Sequence, residues 1–111
     1  MTKLISLEHP GIILQEEFIE PLELTAYKVS KATGISQTAL GEIIRGTRNI
    51  TSKTGLKLAK YFGLSDGYFM KLQMQYDLDL EKEEGGKALG EIIPFKPRNR
   101  NPPEEEELFE A

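Results

Sequence analysis

The sequence predicts an all-α fold, five helices within residues 1–80 followed by an extended, disordered C-terminal tail over residues 81–111. Three observations carry that reading. Residues 25–45 hold two short helical patterns on either side of Gly34-Ile35-Ser36, and Val29, Ile35, Leu40 and Ile43 are the apolar residues that a steep crossing of those helices buries together. Gly55, Leu58, Ala59 and Phe62 follow the i, i+3, i+4, i+7 spacing of a helix with one inward face. After Glu81 the composition turns to charge, glycine and proline, and the helical period stops.

Each element has its own start and stop signals. The first helix begins at His9-Pro10-Gly11, because proline suits the first helical position, where its missing N–H is not needed. It ends near Ile19, since Pro21 pushes Glu20 off helical angles, and Pro21-Leu22-Glu23-Leu24 connects to a second helix capped by Thr25. Gly34 supplies the turn after residue 33. The third helix, residues 37–45, closes at Gly46 with the left-handed residue that glycine adopts cheaply. Thr47-Arg48-Asn49-Ile50 is a loop, Thr51 or Ser52 caps the fourth helix, and Gly63 stops it, with Leu64 as the apolar residue that accompanies such a cap.

Ser65 caps a fifth helix that starts near Asp66. At ~100° per residue, Phe69, Leu72 and Tyr76 share one side, while Met70, Met74 and Leu78 lie nearly opposite. One small core cannot cover both stripes. The first closes the domain; the second is expected to meet another chain, a second copy or a different protein, the alternative being the tail folded back over it. Glu83-Glu84-Gly85-Gly86 reads as a helix end and flexible joint. Beyond it, Leu89, Ile92, Ile93 and Phe95 form a short apolar cluster, and prolines 94, 97, 102 and 103 hold their preceding residues extended. Four consecutive glutamates, 104–107, then precede Leu108-Phe109. Such a segment buries too little apolar surface to offset its ordering entropy, so it is expected to be disordered alone and able to order on a basic partner.

A chain of 111 residues supports one core, and the absence of cysteine removes disulfide and thiolate chemistry. No apolar run approaches the ~18 residues of a membrane span, and no signal-peptide segment opens the sequence, so a cytoplasmic protein without membrane contact is expected. The net charge of −4 is unevenly spread. Residues 25–60 carry seven cations (Lys28, Lys31, Arg45, Arg48, Lys53, Lys57, Lys60) against one acid, Glu42, a local +6, while the segments on either side are acidic. A field concentrated this way attracts phosphates at close range even on an acidic chain.

An enzyme is not expected. The single histidine, His9, precedes a helix-starting proline, where a capping role is the ordinary account, and there is no second histidine or cysteine to complete a nucleophilic pair or a zinc set. Neighbouring carboxylates such as Glu16-Glu17 point in different directions on a helix, and Gly85-Gly86 lacks the strand and helix that a phosphate-cradling loop needs. No cofactor or metal is implied.

The polar residues of the third helix suit double-stranded DNA instead. With Leu40, Ile43 and Ile44 turned inward, the outward residues are Ser36, Gln37, Thr38, Gly41, Glu42 and Arg45. In the two-helix arrangement the N-terminal part of the second helix meets base edges in the major groove. Gln37 is the best reader, because its amide donates and accepts at once, matching adenine N6 and N7, and Thr38 can hydrogen-bond or place its methyl against a thymine methyl. Gly41 is costly inside a helix, which implies close approach of either the DNA or the preceding helix. Glu42 can accept from cytosine N4 or pair with Arg45, and repulsion by phosphates favours the pair. Arg45, Thr47, Arg48 and Asn49, with Lys28 from the preceding helix, suit phosphate contacts that set register. Lys31 can add to them, whereas Lys53, Lys57 and Lys60 read as a solvated face.

Together these residues resemble the Cro/repressor-like (XRE) helix-turn-helix superfamily and, within it, the HigA/VapI-type antitoxins of bacterial toxin-antitoxin modules, over about residues 8–80. The resemblance rests on His9-Pro10-Gly11, Gly34-Ile35-Ser36, Gly46-Thr47-Arg48-Asn49-Ile50-Thr51, Gly63-Leu64-Ser65, and Leu72-Gln73 with Tyr76-Asp77-Leu78. The chain departs from the family at Ser30, usually alanine, at Thr33, usually aliphatic, and at Asp66-Gly67-Tyr68-Phe69, where Pro-Glu-Phe-Trp is common. The resemblance implies a homodimer that represses its own operon at an inverted repeat and neutralises a small ribonuclease toxin. Such a toxin should be basic, and the acidic residues Glu16, Glu17, Glu20 and Glu23, or the glutamates at 104–107, could steer it. Met70, Met74 and Leu78 are the expected dimer or partner face. Two other readings remain open: a stand-alone phage-type repressor without a toxin, and a protein-only adaptor that has lost DNA binding.

Overall fold

The computed structural model describes residues 8–95; of the tail expected over 81–111, residues 96–111, with the acidic segment at 104–111, lie outside the described residues. Within that range the chain is helical throughout and has no strand. The helices are α1 (Pro10–Ile13, continuing as a π-helical stretch over Leu14–Ile19), α2 (Ala26–Thr33), α3 (Gln37–Arg45), α4 (Ser52–Phe62) and α5 (Tyr68–Gly90).

Four of the five starts follow the local chemistry of the sequence. His9 caps α1, its Nδ1 accepting from the Gly11 N–H at 2.9 Å, with Pro10 at the first position. Thr25, Ser36 and Thr51 cap α2, α3 and α4 by accepting from Lys28, Ala39 and Thr54. The fifth start differs. Ser65 accepts from the Tyr68 N–H through its carbonyl, which makes a turn, and α5 begins only at Tyr68 behind an uncapped Gly67.

The π-helical part of α1 has a packing consequence. In an α-helix, residues five apart lie ~140° from one another, so Leu14 and Ile19 would face different directions. The i to i+5 hydrogen bonds of the wider winding, such as Glu20 N–H to Gln15 O at 2.9 Å, stack them. Both are buried. The same bond holds Glu20 at helical angles (φ −66°, ψ −48°), contrary to the expectation drawn from Pro21, and the chain turns instead at Glu23, in the left-handed region at φ 58°.

The core gathers Leu14 and Ile19 of α1, Val29 of α2, Ile35 of the turn, Leu40 and Ile43 of α3, Ile50 of the following loop, Leu58 and Ala59 of α4, and Phe69 of α5. Phe18 joins the helices by a tilted ring contact to Phe62 (5.1 Å between centroids) and edge contacts to Phe69 (5.6 Å) and Tyr68 (5.8 Å). Gly11 lies so close to α3 that a Cβ there would run into the Ile43 carbonyl.

Two of the three departures from the resembled family, Ser30 and Thr33, stitch the turn between α2 and α3. The Ser30 hydroxyl donates to the Ile35 carbonyl at 2.5 Å, and the Thr33 Oγ1 accepts from the Ile35 N–H at 3.2 Å while donating to the Val29 carbonyl at 2.7 Å. Ile35 therefore has both backbone groups tied to α2, which sets how α3 leaves it.

α5 does not end at Glu83-Glu84-Gly85-Gly86. It kinks at Gly85 (φ −112°, ψ 17°) and resumes to Gly90, because Lys87, Ala88 and Leu89 are good helix formers and the glycines each cost only ~1 kcal/mol. The stripes on α5 also divide differently from expectation. Phe69 is buried and Leu72 packs on the core as expected, but so does Met70, whose sulfur would lie 3.3 Å from a Cβ on Gly55. Met74 (56 % exposed) and Leu78 (49 %) remain uncovered. Leu89, Ile92, Ile93 and Phe95 are also exposed.

Candidate nucleic-acid interface

Ser30, Thr33 and the Ser36 cap fix the N-terminal end of α3, and the outer edge of the helix is then set by its period. Leu40 and Ile43 are buried and Ile44 packs on the core, which leaves Gln37 and Thr38 exposed in the first turn, Gly41 and Glu42 half-buried in the middle, and Arg45 exposed at the end. Among the described residues, the side chains of Gln37, Thr38 and Lys28 make no hydrogen bond or ion pair, so their polar groups are open to a ligand. Gly41 has no neighbour from α2. A Cβ on it would meet only the Arg45 guanidinium, at 3.3 Å from Nη1, so the preceding helix does not explain the glycine.

The C-terminal end of α3 departs from the sequence expectation in a consistent way. Gly46 takes φ 84° and turns the chain back over the last helical turn. That reversal brings Arg48, not Arg45, to Glu42: Nη2 and Nε lie 2.6 and 2.7 Å from Oε1. Thr47 donates its hydroxyl and N–H to the Glu42 carbonyl at 3.2 and 2.9 Å. The Asn49 side-chain oxygen faces His9 Nε2 at 3.3 Å, and because His9 Nδ1 already accepts from Gly11, Nε2 carries the proton and donates. Thr47, Arg48 and Asn49 thus spend side-chain hydrogen bonds within the protein, whereas Lys28 and Arg45 keep their charges for an external anion.

Replacing Glu42 with Gln frees Arg48. Both partners are substantially exposed, so stability should change by less than about 1 kcal/mol. Removal of the one acid in this basic segment should tighten duplex binding and steepen its salt dependence by about one unit in log–log slope, measured by anisotropy titration over a salt series.

A clamp behind this loop went unassigned in the sequence. Gln73 of α5 is buried; its Oε1 accepts from the Ile50 N–H at 2.8 Å, and its Nε2 donates to Asp77 Oδ1 at 2.9 Å. Tyr76 meets the His9 ring edge-on at 5.1 Å. A Cβ position on Gly46 lies 3.7 Å from the His9 ring carbon. Three stretches far apart in sequence, His9-Pro10-Gly11, the loop at 46–50 and Gln73 to Asp77, therefore converge on the loop that leaves α3. The signal for them was the segment Leu72-Gln73, in which an amide sits one residue from an inward-facing leucine.

The acids expected to meet a partner, Glu16, Glu17, Glu20 and Glu23, are all exposed on α1 and the turn that follows it. Glu20 accepts from the Gln15 side chain at 3.1 Å. No group of three or more His, Cys, Asp or Glu among the described residues could hold a metal ion, and no described helix is long and apolar enough to cross a membrane.

Two helices locked across a three-residue turn, the second presenting a polar outer edge, define a helix-turn-helix protein. The helix-turn-helix family profile matches residues 16–69. The chain is 38 % identical over 93 residues to virulence-associated protein I of Dichelobacter nodosus, covering 84 % of this chain and 85 % of that one. It belongs to the XRE-type helix-turn-helix family. Among solved structures it resembles the Pseudomonas aeruginosa antitoxin HigA with the higBA promoter (TM-score 0.76, 30 % identity, 80 % of this chain and 98 % of that one). It also resembles an addiction-module antidote protein of the HigA family from Coxiella burnetii (TM-score 0.75, 33 % identity, 80 % and 98 %). The fold is antitoxin-like, and family and fold are those of regulators and antitoxins rather than of enzymes.

Proposed function

We propose that this protein is a sequence-specific DNA-binding antitoxin, which represses its own operon from an inverted repeat and neutralises a small, basic ribonuclease toxin. The observation that carries the DNA half is the exposed first turn of α3, where Gln37 and Thr38 have no internal partner, set in a segment of net +6. Gln37 and Thr38 read bases, and the missing Cβ of Gly41 lets the helix approach the groove floor, with Glu42 beside it. Lys28 and Arg45 hold phosphates; the backbone of Thr47, Arg48 and Asn49 lines the same edge. Similar proteins solved with operator or promoter DNA support this reading.

The DNA-binding unit is residues 1–80, with 81–111 as a tail whose first ten residues continue α5, and it works in the cytoplasm as a homodimer. Met74 and Leu78 are the exposed part of α5 suited to a second copy or a toxin, while Met70 contributes to the core behind them. A dimer places its two α3 helices about 34 Å apart or a multiple of that, which is why the site should be an inverted repeat. Glu16, Glu17, Glu20 and Glu23 form the acidic side that a basic toxin would approach.

The test is binding of the full chain to the DNA upstream of its own gene and to random duplex, across a salt series. A repressor prefers its own site and loses affinity steeply with salt. Gln37→Ala should cost ~1–3 kcal/mol at the native site and leave random duplex almost unchanged, whereas Arg45→Ala should weaken both and lower the salt slope by ~1. Equal, salt-insensitive binding to both duplexes would refute DNA reading and leave the adaptor alternative, which the neutralised Arg48 favours. For the toxin half, a basic neighbouring gene product should co-purify with this chain and release on reversal of Glu16 and Glu17.

A further inference from the structure

An open groove of about 450 Å³ lies between the C-terminal end of α2 and α4, lined by Ala32, Thr33, Leu56, Lys57, Lys60, Tyr61 and Asp66. Its apolar wall is unpartnered, since Leu56 is 48 % and Tyr61 38 % exposed. Neither Lys57 nor Lys60 has a carboxylate within ion-pair distance among the described residues. Lys57 reaches toward the turn ahead of α3, its Nζ lying 3.9 Å from a Cβ position on Gly34. An apolar trough with two free ammonium groups and a single acid selects for a short apolar segment that carries several negative charges.

Beyond the described residues the chain carries such a segment. Residues 104–111 read Glu-Glu-Glu-Glu-Leu-Phe-Glu-Ala, four carboxylates directly before a Leu-Phe pair. We propose that this C-terminal segment docks in the α2–α4 groove of its own chain, Leu108 and Phe109 against Leu56 and Tyr61, and the preceding glutamates against Lys57 and Lys60.

Length permits it. α5 spans 23 residues, about 34 Å at 1.5 Å per residue, and its start at Tyr68 adjoins Asp66 at the groove. The thirteen residues from Phe95 to Leu108 reach about 43–47 Å when extended, enough to return along the helix. Charge selects this groove over the other uncovered apolar surface. Met74 and Leu78 stand among three carboxylates, Asp77, Asp79 and Glu81, against two ammonium groups, Lys71 and Lys82, a net negative surround, whereas the groove sets Lys57 and Lys60 against Asp66 alone.

Amide ¹⁵N spectra of the full chain test the assignment. In Leu108→Ser/Phe109→Ser, resonances of Ala32, Leu56, Lys57, Lys60 and Tyr61 should shift relative to the unaltered protein, by an amount unchanged on tenfold dilution and reduced in high salt. Lys57→Glu/Lys60→Glu should reproduce those shifts, and adding lysines at 104–107 to it should reverse them. Unchanged groove amides overturn the proposal. So does a perturbation centred on Met74 and Leu78, or one that disappears on dilution and therefore reports a second copy.

Discussion

Gly11→Ala is expected to destabilise the protein by about 3 kcal/mol, at the upper end of what overpacking costs. At most helical positions Gly to Ala is stabilising, because alanine restricts the unfolded chain. Here the added methyl would overlap the Ile43 carbonyl, a backbone atom that cannot swing away as a side chain can. Relief requires α1 and α3 to separate, and the cost spreads, since Leu14 and Ile19 of α1 and Leu40 and Ile43 of α3 are all buried in the one core. For a domain of this size the midpoint of thermal unfolding should fall by roughly 10–20 °C. A variant as stable as the original would show that the α1–α3 contact is not what the close approach implies. Gly86→Ala serves as the contrast: nothing lies within 4 Å of a Cβ there, so it should leave the domain unchanged or slightly firmer.

Gly11 also shows how far the sequence could be read. Its neighbours Pro10 and His9 mark a helix start by chemistry that acts within three residues, and so do Thr25, Ser36 and Thr51 at the heads of α2, α3 and α4. Local hydrogen bonding and backbone preference decide such positions, which is why four helix starts and the inward faces of α3 and α4 were legible. Gly11's own role was not, because the atom it makes room for belongs to Ile43, 32 positions away. The π winding of α1 was hidden for a related reason: Leu14 and Ile19 break the helical period, and only the packed core shows that the helix widens to bury both.

The interface divides along the same line. The exposed first turn of α3 follows from the period that buries Leu40 and Ile43, and Gln37 and Thr38 stand where that period puts them. The loop after α3 resisted such reading, because its side chains answer to a backbone reversal at Gly46 and to distant partners. Glu42 has cations both three and six residues on, and sequence spacing favours the nearer one. The left-handed glycine folds the chain back and hands the carboxylate to Arg48 instead.

Gln73→Leu should separate stability from recognition in a way that tests whether the loop after α3 is held from behind. The substitution keeps the volume and apolar contact but removes the acceptor of the buried Ile50 N–H, and a buried donor left without a partner costs ~1–3 kcal/mol. Asp77 loses its amide donor too, but it is exposed and can be rehydrated, so the Ile50 N–H dominates. To recover a hydrogen bond, Ile50 must turn toward water, and Thr47, Arg48 and Asn49 move with it. Duplex affinity should therefore fall severalfold even at temperatures where the variant is fully folded, with the loss falling on own-site and random duplex alike if the loop, as proposed, sets register without reading bases. Gln73→Glu is the informative companion: it restores an acceptor for Ile50 but faces Asp77 with a second carboxylate, so it should recover the loop only when paired with Asp77→Asn. If Gln73→Leu lowers thermal stability and leaves affinity untouched, the contact of α5 with this loop is structural alone. If affinity falls and the paired variant restores it, the helix that carries Met74 and Leu78 also controls the shape of the edge proposed to meet DNA, and a partner bound on that helix could alter DNA binding without touching it.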